Sequence, residues 1–156
     1  MCNTSPDWVL GELHAMEVAL SRLQALAAGA QPCPPSQEAV AAAALYLANL
    51  YRGAERLLEA LLRARGTPLP SGPRWHAELL QEAAEPGRSA VLDERTAARL
   101  KEYLGFRHVV LHGYAHTPSW ERMLPLVEDA PGVFGDLIAR VRAWLSQGEP
   151  ERGPDA

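Results

Sequence analysis

Apolar residues recur along this chain at three- and four-residue steps, the spacing that lines one face of an α-helix. Trp8, Val9, Leu13, Met16, Leu20, Leu23 and Leu26 set the pattern first and predict an amphipathic helix over residues 7–28. Gly29 and the proline-flanked Cys33 close it. Ser36 is a good N-cap for a second helix reaching residue 65, and Gly66 supplies its stop. That second helix is unusually apolar through residues 39–50, which predicts a place at the centre of a core. Pro68, Pro70, Gly72 and Pro73 mark a loop, and residues 75–85 read as a short helix stopped by Pro86 and Gly87.

Asp93 can cap the next helix, with Leu100, Tyr103, Leu104, Val110 and Leu111 as its apolar side and Pro118 as its end. The last helical region begins near Ser119. Pro125 and Pro131 should interrupt it and give a broken or kinked pair. Beyond them Val133, Leu137, Val141 and Leu145 form an i, i+4 stripe. Leucine and alanine dominate, and Ile138 is the sole isoleucine, a balance that favours helix over sheet. A chain of 156 residues is long enough for one domain with a real core. The expectation is therefore an all-α fold: an antiparallel bundle of four long helices plus a short one. One domain spans 1–148, followed by a flexible tail at 149–156.

A net charge of −4 excludes broad electrostatic capture of nucleic acid but leaves room for a local arginine site. Lys101 is the sole lysine among 15 basic residues. Cys2 and Cys33 lack metal-type spacing, which fits a reducing, cytoplasmic setting. No secretory leader opens the chain. The longest apolar run, 39–47, is far shorter than the roughly 20 residues a membrane span needs.

One short stretch carries chemistry. Arg107 stands five residues before His112, and Tyr114 two after it. Arginine presents a permanent cationic fork that matches phosphate oxygens, and histidine exchanges protons near neutral pH. Five steps of about 100° leave the two roughly 140° apart, so a straight helix does not put them on one face. A bend eased by Gly113, or a second copy of the chain, would be needed to unite them. His108, His112 and His116 are spaced four apart and offer a competing metal-ligand pattern. No carboxylate or cysteine accompanies them, so the expectation is no metal and no cofactor. Arginine and histidine on a solvated helix end is the plainest alternative.

Other residues keep two readings. Trp75 either plugs the bundle while His76 bonds locally, or His76 lines a cleft beside Arg107. Tyr51 and Glu55 lie one turn apart. Glu55 either orients Arg107 or His112 through a charge-assisted bond, or is a solvated carboxylate paired with Arg52 or Arg56. Asn49 needs a partner if buried, and His14, among apolar positions, reads as a core or interface group.

The segment 107–114 matches the R-x4-H-x-Y pattern of the HEPN superfamily and resembles the HepT-like toxins. The resemblance extends to KEYLGFRHVV at 101–110, YLANLYRGAER at 46–56, PSGPRWHAELL at 70–80 and WERMLPL at 120–126. Together these span roughly 39–145. His108 stands where such motifs often carry asparagine, and Ala48 where this branch often has histidine. The resemblance implies a helical, metal-independent endoribonuclease of toxin–antitoxin type, working as a homodimer with RNA as substrate. Arg107 would hold the scissile phosphate and His112 would move protons. Tyr114 would be the residue that a small nucleotidyltransferase antitoxin inactivates by adding AMP. His108, His76, Glu55 and Tyr51 would be accessory. The alternative is a non-catalytic HEPN protein that binds the nucleotidyltransferase or a nucleotide.

Overall fold

The computed structural model describes residues 7–30, 33–85, 91–112 and 118–147. These form five helices: α1 Asp7–Gly29, α2 Gln37–Ala64, α3 Trp75–Ala84, α4 Glu94–His112 and α5 Trp120–Ser146. Among the described residues there is no strand. None of these helices is long and apolar enough to cross a membrane.

Helix α2 packs against each of the other four. Its inward stripe explains why: Val40, Ala43, Leu47, Leu50, Ala54, Leu57, Leu58, Leu61 and Leu62 are all buried. Both ends of α2 are fixed by chemistry legible in the sequence. Ser36 Oγ accepts from the Ala39 N–H at 3.1 Å. At the other end Gly66 takes φ +71°, which a side chain would resist. The Gly66 and Thr67 N–H groups then donate to the Arg63 and Leu62 carbonyls, closing a Schellman motif.

α1 and α2 run antiparallel in close contact. A Cβ added at Gly53 would come within 2.8 Å of Met16 Sδ and 2.9 Å of Glu12 Oε1. The glycine is therefore what lets the two helices approach here. Asp93 caps α4 as expected, its Oδ1 accepting from the Thr96 N–H at 2.7 Å. That bond, with Arg140 and Arg95 nearby, holds the Asp93 carboxyl below its ordinary range.

α5 departs from expectation. It runs through Pro125 and Pro131 as one helix of 27 residues. Proline removes one ladder bond each time, yet Met123, Val127, Ala130, Phe134, Leu137 and Val141 stay on one buried stripe across both. Burial of that stripe outweighs the local breaks. Pro125 faces solvent, and between the prolines the Leu126 carbonyl accepts from the Tyr103 hydroxyl at 2.8 Å. Of two smaller expectations, one narrows and one fails. His14 is exposed and so is not a core group, because Leu13 and Met16 occupy the inner face of α1. Leu111 is 55% exposed, because Val110 is the residue of the last turn that packs against the core.

Candidate functional site

Three helices converge on one carboxylate. Glu55, on the apolar stripe of α2, is 4% exposed. An isolated buried carboxylate is strongly disfavoured, so it needs partners. It has two. His76 Nδ1, from the first turn of α3, donates to Glu55 Oε1. Arg107 Nη1, from α4, donates to Glu55 Oε2 at 3.3 Å. Trp75 is half-buried and stacks on His76 with ring centroids 3.7 Å apart, which fixes the imidazole plane. Arg107 also sits over the Tyr51 ring, its Cζ 6.0 Å from the centroid.

These contacts bear on the paired readings: Trp75 packs against the core, as one reading had it. His76 stands beside Arg107, joined to it through one carboxylate. Glu55 is not a solvated partner of Arg52 or Arg56; Arg56 pairs instead with Glu12 at 2.7 Å. Asn49 is exposed and owes no buried hydrogen bond. Tyr51 is fully buried, and its hydroxyl has no hydrogen-bond partner among the described residues. Burial, then the Glu55 carboxylate, push the phenol above its ordinary range, so Tyr51 stays neutral. It gives Arg107 a ring face and leaves one polar atom poised beside Glu55.

The structure does not bring His112 into this cluster. His112 is the last residue of α4 and exposed. Its Nδ1 bonds the His108 carbonyl at 2.9 Å. A carbonyl only accepts, so Nδ1 carries the hydrogen. In neutral His112, Nε2 is therefore the bare nitrogen, able to take a proton. The His108 ring lies 4.3 Å away, tilted by 31°. Five residues of rise separate Arg107 from His112 by roughly 7.5 Å along the axis, on top of the rotation between them. Tyr114 and His116 lie outside the described residues. Among the described residues no three histidine, cysteine, aspartate or glutamate side chains gather as a metal site.

The sequence signal for Glu55 was its register. It follows Tyr51 by four and precedes Leu58 by three, placing an acid on a core stripe.

Residues 42–147 match the family model described as HepT-like protein. The chain belongs to the HepT-like family. No curated protein matches it. The HepT-like fold is shared with solved structures at low identity. One is a tyrosine-to-alanine variant of the MntA–HepT toxin–antitoxin pair, with TM-score 0.72 and 14% identity over 88% of this chain and 99% of that one. Another is the tri-AMPylated HEPN toxin of Shewanella oneidensis in complex with MNT antitoxin, with TM-score 0.72 and 14% identity over 88% and 98%. A further MntA–HepT variant superimposes with TM-score 0.66 at 16% identity, over 88% of this chain and 98% of that one. These likenesses concern the fold.

Proposed function

We propose that this HepT-like chain is the RNA-cleaving toxin of a pair whose antitoxin is a small nucleotidyltransferase. The observation that carries the reading is the state of the motif pair. Arg107 is a half-buried guanidinium held in place from behind by Glu55, and His112 presents a bare Nε2 to solvent. Arg107 is thereby held off the solvated helix face, while His112 stands on the exposed helix end with its ring oriented by the His108 carbonyl.

The chemistry is transesterification at an RNA phosphate, and it needs no metal. His112 Nε2 takes the ribose 2′-hydroxyl proton, and the 2′-oxygen attacks phosphorus. Arg107 binds the non-bridging oxygens as negative charge builds on them. The 5′-oxygen leaves and receives a proton from an imidazolium. The products are a 2′,3′-cyclic phosphate and a 5′-hydroxyl. Glu55 and Tyr51 orient Arg107, and His76 holds the far oxygen of Glu55. His108 packs against His112 and fixes its ring.

Arg107 and His112 of one chain face apart, so the working site pairs Arg107 of one copy with His112 of a second. Val109, 65% exposed, and Leu111 lie on the same tip of α4 and supply apolar surface for such a homodimer. Tyr114 is the residue we assign to AMP addition by the antitoxin, after the tri-AMPylated HEPN toxin that shares the fold. The pair acts in the cytoplasm, where its RNA substrate is.

Mixing two inactive variants tests the composite site. Arg107→Gln keeps an amide donor for Glu55, and His112→Ala removes only an exposed ring. Each alone should lose cleavage by about 10²–10⁴-fold, the usual scale for a proton-transfer group. In a mixed dimer one site carries both changes and the other carries neither. Co-refolding equal amounts should therefore restore about a quarter of wild-type cleavage. Mixtures as inactive as their parents would place the pair within one chain. Cleavage undiminished in both single variants would remove the site altogether.

A second reading rests on the same ion pair. Arg107 already has a carboxylate partner, as a purely structural arginine would. On that reading the protein binds its nucleotidyltransferase and cuts nothing. A wild-type preparation that cleaves no RNA would favour it.

A further inference from the structure

On the other side of α2 lies a groove that the Arg107 cluster does not use. It runs between α1 and α2, with a cavity volume of ≈ 360 Å³, and Glu12, Arg22, Tyr46, Asn49, Arg52 and Arg56 are on its walls. Tyr46, Asn49, Arg52 and Arg56 follow one another at three- and four-residue steps, so they share one face of α2. Glu55, which falls between the last two in sequence, turns the other way, to α3 and α4.

The arginines on the walls of this groove differ in their pairing. Six arginines of the described residues have a carboxylate partner: Arg56 with Glu12, Arg63 with Glu59, Arg99 with Asp129, Arg107 with Glu55, Arg140 with Asp93 and Arg142 with Glu17. Arg22 and Arg52 have none among the described residues. Nor are the nearby acids free to serve them. Glu12 is taken by Arg56, which also lies over the Trp8 ring at 5.4 Å, and Glu17 is taken by Arg142 at 2.5 Å. Two exposed guanidiniums therefore line one groove with their donors uncommitted.

The groove continues into a second recess of ≈ 470 Å³ that shares Arg22 and Tyr46. Its other walls are chiefly apolar, among them Leu26, Pro35 and Ala42. The combined shape offers cations, then an aromatic ring and an amide, then an apolar pocket. An acidic peptide would satisfy the arginines but has no use for the ring and recess. A nucleotide uses all three: its phosphate takes guanidinium forks, and its base stacks on an aromatic face and reads an amide.

We propose that the α1/α2 groove is a nucleotide-phosphate site, with Arg22 and Arg52 on phosphate oxygens and the base lodged at Tyr46. The occupant is either a stretch of single-stranded RNA or a free nucleotide. The choice of RNA rests on the proposed function; the anion site itself does not.

The test uses the full wild-type chain and a 2′-O-methylated 12-mer RNA, which has no 2′-hydroxyl to react. Arg22→Glu/Arg52→Glu should weaken binding at least tenfold. It should also flatten the plot of log affinity against log salt by about 1.4, near 0.7 for each single-strand phosphate released. Both side chains are exposed, so the melting temperature should hold. A charge-matched control, Arg95→Glu/Lys101→Glu, should change affinity much less. A parallel arm with AMP and ATP separates the sources: loss there but not with RNA assigns the groove to free nucleotide. Equal losses in groove and control variants, unchanged binding in the groove variant, or polyglutamate binding as tightly as RNA would each overturn the site. If RNA cleavage persists while groove binding fails, this inference alone is lost. If Arg107→Gln still cleaves while the groove still binds, the fault lies with the proposed catalytic site.

Discussion

The two ends of α4 follow opposite rules. Its first half is anchored: Asp93 caps it, and Thr96, Leu100 and Tyr103 are buried beneath it. Tyr103 adds an edge-on contact to Phe134, 4.8 Å between centroids, and its bond to Leu126. The last turn carries exposed Val109, Leu111 and His112 instead. Arg107 sits at the change-over, its guanidinium turned inward to Glu55. One continuous helix therefore separates the task of holding the bundle from the task of meeting something outside it. The groove on the far side of α2 repeats the division, with buried Gly53 and Met16 beneath and unpaired arginines above.

The sharpest way to break the comparison is to damage the anchored half. Leu100 is fully buried. Leu100→Ala should cost about 2–5 kcal/mol, the range for a leucine truncated in a packed core. Urea unfolding measures it. A loss below about 1 kcal/mol would mean that the first half of α4 is no better anchored than its tip.

The cap is the next smaller lever. Asp93→Ala should lower the melting temperature, by clearly less than Leu100→Ala does. The dependence on pH follows from the depressed carboxyl. The Thr96 N–H bond favours the charged form in the folded state, so the contribution is complete above the ordinary carboxylate range. It fades as pH falls through the lower, folded-state value. Wild type and Asp93→Ala should differ clearly at pH 7 and converge in strong acid. A gap that persists in acid would assign the effect to something other than the charged cap.

The anchored half was legible in the sequence because its signals are local. Asp93 as cap, the Leu100 and Tyr103 spacing, Ser36 and Gly66 all act within a turn or two of themselves. The site was half legible. The motif spacing already showed that Arg107 and His112 face apart on a helix, and α4 keeps them so. What periodicity left undecided was Glu55, whose partners lie 21 and 52 residues away. No local pattern encodes such a meeting; it appears once α3 and α4 are laid against α2. The prolines of α5 show the same limit from the other side. Their local preference for a break is real, but the buried stripe from Met123 to Val141 decides the outcome, and that stripe has meaning only against α1, α2 and α4.

The smallest change in stability should come from the exposed tip, and it sharpens the comparison most. Val109→Ser/Leu111→Ser removes two apolar side chains that contact water, so folding free energy should shift by about 0.5 kcal/mol or less. If this tip joins two copies, the effect appears in association instead. Sedimentation should show a dissociation constant raised at least tenfold, with the monomer fold intact by circular dichroism. RNA cleavage should then depend on protein concentration, low when dilute and recovering toward the wild-type rate when concentrated, because mass action rebuilds the dimer. A variant that unfolds as readily as Leu100→Ala would show the tip to be part of the bundle's own support. A variant that dimerises and cleaves as wild type at every concentration would move the interface elsewhere. In that case Val109 and Leu111 are exposed for some other partner, and Arg107 must find its histidine by a route other than this end of α4.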